Sequence, residues 1–216
     1  MRIIPPVATH GARVMARWLP DAVWRSPESS NGKVAYLTFD DGPTPTLTEP
    51  LLDRLAAFDA RATFFLIGGH AEDHPQLVRS IARAGHTIGN HTYTHPYPWQ
   101  TPAARLQAEL DRTSKLLADQ TGQPIRLVRP PYGQLNGAMR TWCDARAHRP
   151  VMWDVMPGDF LRNVDQAYVE RFVQRHLRPG SIIVLHDNPI VEDTTPGALD
   201  TLLRTLSADG WTFEGL

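Results

Sequence analysis

The sequence predicts an α/β fold whose mainly parallel sheet closes as a barrel, and two observations carry that expectation. From residue 33 onward, short apolar runs alternate with longer amphipathic stretches, the pattern of βα units joined by right-handed crossovers. Every polar motif also falls at the C-terminal end of a predicted strand: Asp40-Asp41, His91, Arg129, Asp154 with Asp159, and His186-Asp187. A barrel gathers all its strand ends around one mouth, whereas an open sheet converges only two or three of them at its switch point. Five contributing strand ends favour the barrel.

The elements follow in order. Residues 34–39 form a buried-strand pattern ending in polar residues, and 48–57 read as a helix with Thr48 as N-cap and Leu51, Leu52 and Leu55 on one face. A strand over 62–67 stops at Gly68-Gly69, and a helix over 75–84 starts with Pro75 in its tolerated first turn and ends at Gly85. Residues 86–89 are a short strand leading to the first motif histidine. The longest helix spans 102–119, with Leu106, Leu110 and Leu117 at helical spacing and Gly122 closing it. Strands over 126–128 and 150–153 flank a helix over 137–147. A helix over 165–176, an apolar strand over 181–186, a helix over 196–208 and a short strand over 211–213 complete the chain.

Residues 1–32 read as an N-terminal extension with a short helix. Its apolar positions Val14, Met15, Trp18 and Leu19 share one face, and Pro20 ends it. That face is expected to dock on the body of the protein, with a membrane surface as the alternative. Arg2, Arg13, Arg17 and two prolines interrupt the apolar core that a signal peptide needs. No stretch approaches the ~20 apolar residues of a membrane span. No signal peptide is visible, so the expected location is cytoplasmic by default, with peripheral membrane attachment or export left open.

The chain has 216 residues, enough for one sizeable core, and 22 Lys plus Arg against 23 Asp plus Glu. That balance gives no reason to expect a nucleic acid or an acidic membrane as partner. A single cysteine, Cys143, excludes an intrachain disulfide and any multi-cysteine metal site. The oligomeric state is not legible.

The chemistry concentrates in Asp40-Asp41-Gly42 and His91-Thr-Tyr-Thr-His95. One carboxylate and two imidazoles are a metal-ligand set, and three protein ligands leave a position free for water. The second carboxylate beside that water completes the minimum kit for hydrolysis. The same histidine spacing occurs in HExxH zinc proteases, but there a glutamate follows the first histidine. Here Thr92 follows, so the base must come from elsewhere.

TFDDGP (38–43), HTYTHP (91–96), RPPYG (129–133), WDVMPGDF (153–160) and VLHD (184–187) stand in the order of the five motifs of polysaccharide deacetylases. Over about residues 33–213 the chain resembles this family, the NodB-homology group or carbohydrate esterase family 4. The resemblance makes 33–216 one NodB-homology domain and implies a distorted, incomplete (β/α) barrel. It also implies a divalent metal, zinc with cobalt or nickel as alternatives, and removal of N-acetyl groups from amino sugars. Carried over by motif, Asp41, His91 and His95 bind the metal, and Asp40 is the general base acting on metal-bound water. Arg129 holds Asp40, the Tyr132 backbone N–H stabilises the oxyanion, and His186 protonates the leaving amine. Asp159, or failing it Asp154, keeps His186 charged. Leu185 and Trp153 are expected to line the acetyl pocket. The fourth motif departs from the pattern of many members, with Met156 in place of an acid and Phe160 in place of a tryptophan.

The implied substrate is an acetylated glycan, with peptidoglycan, chitin-like oligosaccharide and exopolysaccharide all open. Tyr93, Tyr97 and Trp99 after the second motif would stack on sugar rings, or serve as packing. The same site would also suit an O-acetyl ester or another amide. A carbohydrate-binding protein without turnover would need the base, the acid or a ligand to be lost, and all are present.

Overall fold

The computed structural model describes residues 5–26 and 32–216. Seven parallel strands form one curled sheet: β1 (Val34–Asp40), β2 (Ala62–Leu66), β3 (Thr87–Asn90), β4 (Leu127–Val128), β5 (Arg149–Pro150), β6 (Ile182–His186) and β7 (Thr212–Phe213). They are ordered β5-β4-β3-β2-β1-β6, with β7 paired to the start of β1. The helices are α1 (Pro5–Met15), α2 (Thr48–Ala57), α3 (Gly68–Asp73), α4 (Pro75–Arg83), α5 (Ala103–Thr121), α6 (Gly137–Ala145), α7 (Gln166–His176) and α8 (Thr195–Ala208).

Strand alternation sorts the side chains into two layers. Tyr36, Phe65, Leu127, Val151 and Ile182, from five different strands or their extensions, meet in one cluster that fills the inside of the curl. Gly89 of β3 stays bare because a Cβ there would run into the Phe65 ring. The outward residues Leu37, Phe39, Phe64 and Ile183 pack beneath the helices, against Leu51, Leu55, Leu199 and Leu202 among others. Burying each such side chain contributes about 1.5–3 kcal/mol, so this sheet–helix layer is the main source of stability.

The barrel is incomplete, as expected. β5 and β6 do not pair, and the gap between them is closed by single bridges: Val23 to Val151, Arg25 to Ser181, and Val155 to Ile183. The segment before β1 thus supplies part of the wall. Its Ala12, Ala22 and Trp24 share a core cluster with Leu106, Leu110, Met139 and Trp142 of α5 and α6.

Three expectations change. The docked face of α1 carries Thr9 and Ala12, whereas Val14, Met15 and Trp18 are exposed; small side chains let the helix approach the body closely. Thr48 does not cap α2, whose N-cap is Leu47. Its hydroxyl accepts from the Thr44 N–H and donates to Asp187, both buried partners. The strand expected over 150–153 is only Arg149–Pro150, because the Val151 and Met152 positions are bonded to Val128 and to Val23 at the seam. β2 stops just before Gly68-Gly69, as expected, and the pair begins α3. Among the described residues no helix is long and apolar enough to cross a membrane.

Candidate active site

The C-terminal strand ends form one mouth, and the backbone there is bent to present its side chains. Asp41, Thr92, His95 and Tyr132 all have positive φ, at 78°, 65°, 54° and 56°. Left-handed backbone at non-glycine residues costs about 1–3 kcal/mol each and persists only where the surroundings hold it. Here they do. The Asp40 carbonyl accepts from Asp187 N–H at 2.8 Å, and the Gly42 carbonyl from Ile67 N–H at 2.9 Å. The Asp41 carbonyl accepts from His70 Nδ1 on α3 at 2.8 Å. Gly42 has no room for a Cβ, which would overlap the Asp187 carboxylate.

The histidine loop is held from three sides. Gly68 and Gly69 at the start of α3 donate to the carbonyls of Thr92 and Tyr93 at 2.8 and 3.0 Å. Asn90 accepts from the Thr92 N–H at 2.7 Å. From α5, the buried Glu109 accepts from both the N–H and the hydroxyl of Thr94, at 3.0 and 2.8 Å.

Asp41, His91 and His95 come together with their ligand atoms all within 4.8 Å of one another. The Nε2 atoms of His91 and His95 lie 3.6 and 3.5 Å from the same oxygen, Asp41 Oδ1. His91 Nδ1 is 2.7 Å from the Arg129 carbonyl. A carbonyl only accepts, so the proton sits on Nδ1 and the Nε2 lone pair faces the cluster. Asp41 Oδ2 is occupied by the Asn188 amide at 2.8 Å, leaving Oδ1 free. Burial, with His91 adding to it, pushes the His95 imidazole down to about 4, so it is neutral at ordinary pH. Three ligand atoms aimed at one another, one carboxylate oxygen and two imidazole nitrogens, fit a divalent cation.

Asp40 lies between this cluster and Arg129. Its Oδ1 accepts from Arg129 Nη1 at 2.7 Å, and its Oδ2 is 3.9 Å from His91 Nε2. Arg129 is fully buried, also donates to Thr38 Oγ1 and to the Met152 carbonyl, and stacks over the Phe65 ring. Burial pulls the guanidinium below its usual value, and the Asp40 carboxylate works against that fall.

His186 pairs with Asp40 in register across β1 and β6, so both point to the same mouth. Its Nδ1 is 2.8 Å from Asp159 Oδ1, and its own N–H donates to Asp159 Oδ2. Thr195, buried at the start of α8, donates to that second oxygen at 2.7 Å. Burial opposes the charged imidazole, but Asp159, reinforced by Asp41 and Asp40, outweighs it and holds His186 up at about 9. Phe160 packs edge-on against the imidazole, with centroids 4.8 Å apart. Asp154 is not near this pair: it accepts from Arg178, Ser181 and the Ile182 N–H, and anchors the start of β6.

Tyr132, just after Pro130-Pro131, is half exposed beside the ligands, its ring edge-on to His95 at 4.6 Å and stacked on Tyr97 at 4.0 Å. Trp153 is half-buried against Gly133, and its buried Nε1 has no hydrogen-bond partner among the described residues. Leu185 does not reach the mouth. It is fully buried in the sheet–helix layer, and the β6 residue sharing the barrel-facing row with His186 is Val184. Of the three aromatics after the second motif, Trp99 and Tyr97 are exposed. Tyr93 is tied down by Glu72 and Arg112.

Four site residues escaped the sequence reading in these roles: Glu109, Asn188, Thr195 and Asp187. Asp187 is buried with Oδ1 unpartnered, and burial pushes its carboxyl up to about 7.

Residues 28–148 match the polysaccharide deacetylase family. A chitooligosaccharide deacetylase from Rhizobium leguminosarum bv. trifolii is 34% identical over 199 residues, covering 87% of this chain and 92% of that protein. The crystal structure of the Bc1960 peptidoglycan N-acetylglucosamine deacetylase, in complex with 4-naphthalen-1-yl-N-oxidanyl-benzamide, superposes with a TM-score of 0.86 at 31% identity, covering 92% and 93% of the two chains. The wild-type structure of BA3943 from Bacillus anthracis, a family 4 pseudoenzyme, superposes with a TM-score of 0.81 at 26% identity, covering 90% and 67%. The curled parallel sheet with an Asp–His–His cluster at its mouth, the matched motifs and the extent of these similarities make this chain a member of the polysaccharide deacetylase family, carbohydrate esterase family 4.

Proposed function

We propose that the protein is a metal-dependent hydrolase that removes N-acetyl groups from N-acetylglucosamine-type residues of a glycan, releasing acetate. The observation carrying this reading is the placement of Asp40: one oxygen fixed by buried Arg129, the other turned to the Asp41–His91–His95 cluster, with His186 across the same mouth. The donor set suits zinc, or cobalt or nickel by similar ligand preference, and such an ion, when bound, would polarise the amide carbonyl and make water there more acidic.

The protein's own groups account for the proton movements. Asp40 Oδ2 is the free oxygen of a carboxylate whose partner atom is already bonded, so it takes the proton of the attacking water. Arg129 holds that carboxylate in place. The Tyr132 N–H, the first amide available after two prolines, would donate to the oxygen that gains charge as the carbonyl carbon becomes tetrahedral. Breaking the C–N bond leaves an amine that must be protonated. His186, charged below about 9 with its Nδ1 held by Asp159, delivers that proton from Nε2. Trp153 and Val184 border the space for the acetyl methyl. The exposed Tyr97, Tyr132 and Trp99 offer faces for sugar rings, which favours a glycan over a small ester.

The test is acetate release from a chitooligosaccharide, from peptidoglycan fragments and from an aryl acetate, each after metal removal and again after zinc or cobalt is restored. Metal-dependent release from a glycan is expected. Release from the ester alone would make the protein an esterase, and metal retention with no release from any of the three would make it a binding protein. His91→Ala should lose the metal itself, read by metal content after dialysis.

A further inference from the structure

Asp41 is held at two points, and the two holds act on different parts of it. His70 Nδ1 lies 2.8 Å from its backbone carbonyl and so fixes the loop. The Asn188 amide lies 2.8 Å from its side-chain Oδ2 and so fixes the carboxylate itself. The sheet brings Asn188 to that place. β1 and β6 pair Asp40 with His186, and one step beyond, the Asp187 N–H donates to the Asp40 carbonyl, which sets Asn188 alongside Asp41. Pro189 follows, and the residue before a proline is confined to extended backbone. Asn188 has φ −145° and ψ 163°.

The partners of the amide fix which way round it stands. Asn188 Oδ1 accepts from the Ile190 N–H at 3.0 Å, as the N-cap of the short helix over Pro189–Val191. Exchanging its oxygen and nitrogen would set an amide NH2 against that N–H and an oxygen against the Asp41 carboxylate, two donors and two acceptors face to face. The nitrogen therefore points at Oδ2. The Nε2 atoms of His91 and His95 both approach the other oxygen, Oδ1, at 3.6 and 3.5 Å. One carboxylate oxygen thus serves the cluster while its neighbour is committed elsewhere. This bears on the choice of ion, because a carboxylate ligates through one oxygen or through both. Zinc is satisfied by few ligands, imidazoles among them, whereas manganese, like calcium, favours more oxygens around it.

We propose that Asn188 is a positioning residue that sets the ion preference of the site: it restricts Asp41 to ligation through one oxygen and so favours zinc over manganese. This rests on the metal-dependent reading of the Asp41–His91–His95 cluster. The test is chelator competition on the full chain, measuring zinc and manganese affinity for the native protein, Asn188→Ser, Asn188→Asp and His70→Ala. Serine and aspartate still accept from the Ile190 N–H as N-caps, so the loop keeps its shape, but neither offers the amide donor to Oδ2. In Asn188→Ser zinc affinity should fall about 10- to 100-fold, as when other partners of metal ligands are lost. Manganese, gaining the second oxygen, should lose far less, so the preference for zinc should narrow roughly tenfold. Asn188→Asp, which adds a further carboxylate, should narrow it at least as much. His70→Ala loosens the loop and leaves Oδ2 covered, so it should weaken both ions alike. A preference in both Asn188 variants equal to the native one, whatever the absolute affinities, would overturn the inference alone. So would an equal narrowing in His70→Ala, since a loose loop would then suffice. A native protein that retains neither ion would remove the metal reading itself, and this inference with it.

Discussion

The two mouths of the barrel hold arginines in opposite conditions. At the C-terminal mouth Arg129 has no exposed surface and spends its donors on Asp40, Thr38 and the Met152 carbonyl. At the N-terminal strand ends Arg126 and Arg149 are exposed, and among the described residues neither has an ion-pair partner. Removing a buried cation strands its partner charge in a dry environment, whereas removing a solvated one exchanges a side chain for water. One mouth is therefore built to fix groups before anything binds, and the other leaves its cations to solvent.

The sharpest way to break the fixed mouth is Asp40→Asn. It keeps shape and a hydrogen-bond acceptor for Arg129, yet turnover should fall by about 100- to 10,000-fold, the usual weight of a general base, with metal content unchanged. Retained turnover would remove Asp40 as the base. Arg129→Met should come next, costing about 3–5 kcal/mol in urea unfolding because Asp40 is left buried and unpaired. Glu109→Gln loosens only the Thr94 clamp, and chelator competition should show metal affinity down about 10- to 100-fold, as for other partners that orient ligands. A value equal to the native protein's would make the clamp irrelevant to the site.

The pH dependence is a smaller and signed effect. His186 sits at about 9, above its ordinary 6.5. Its contribution to stability is thus fully present below about 6.5 and lost as pH rises through about 9. Turnover should decline over the same upper window as the proton donor disappears. In Asp159→Asn the decline should begin at lower pH, and a pH–rate profile that does not move would detach Asp159 from the acid. Least of all, Arg149→Ala should change unfolding free energy by less than about 0.5 kcal/mol, a contrast with Arg129 that the same urea titration measures.

Much of this was legible because chemistry and strand ends coincide in the sequence. Asp41, His91 and His95 meet as their motif spacing implied, and Asp159 rather than Asp154 stands at His186. Asn188 and Glu109 were not legible in the same way. Each acts on a residue brought to it only by folding, Asn188 on Asp41 and Glu109 on Thr94, and no local spacing announces such a contact. Leu185 is a different kind of miss. Once His186 is set facing the mouth, two-residue alternation sends Leu185 to the other side, so the information was present and the parity went uncounted. Gly68-Gly69 marked the end of β2 correctly, and the structure adds why Gly68 is needed: α3 passes there against Thr113 and Tyr93. Met156, which replaces an acid expected in the fourth motif, is buried, and its N–H donates to Thr9 of α1.

That last contact, with the bridges from Val23 and Arg25, means that the wall between β5 and β6 is stapled by the front of the chain to positions well over a hundred residues later. Pairings so distant carry the largest loop-closure cost and close late. During synthesis the front segment must wait, unpaired, until nearly the whole polypeptide has emerged. The loop that carries Asp159 adjoins this staple, so the proton donor would be the last part of the machinery to be assembled. Asp41 waits as well, because Asp187 and Asn188, which hold it, follow His186 in the chain.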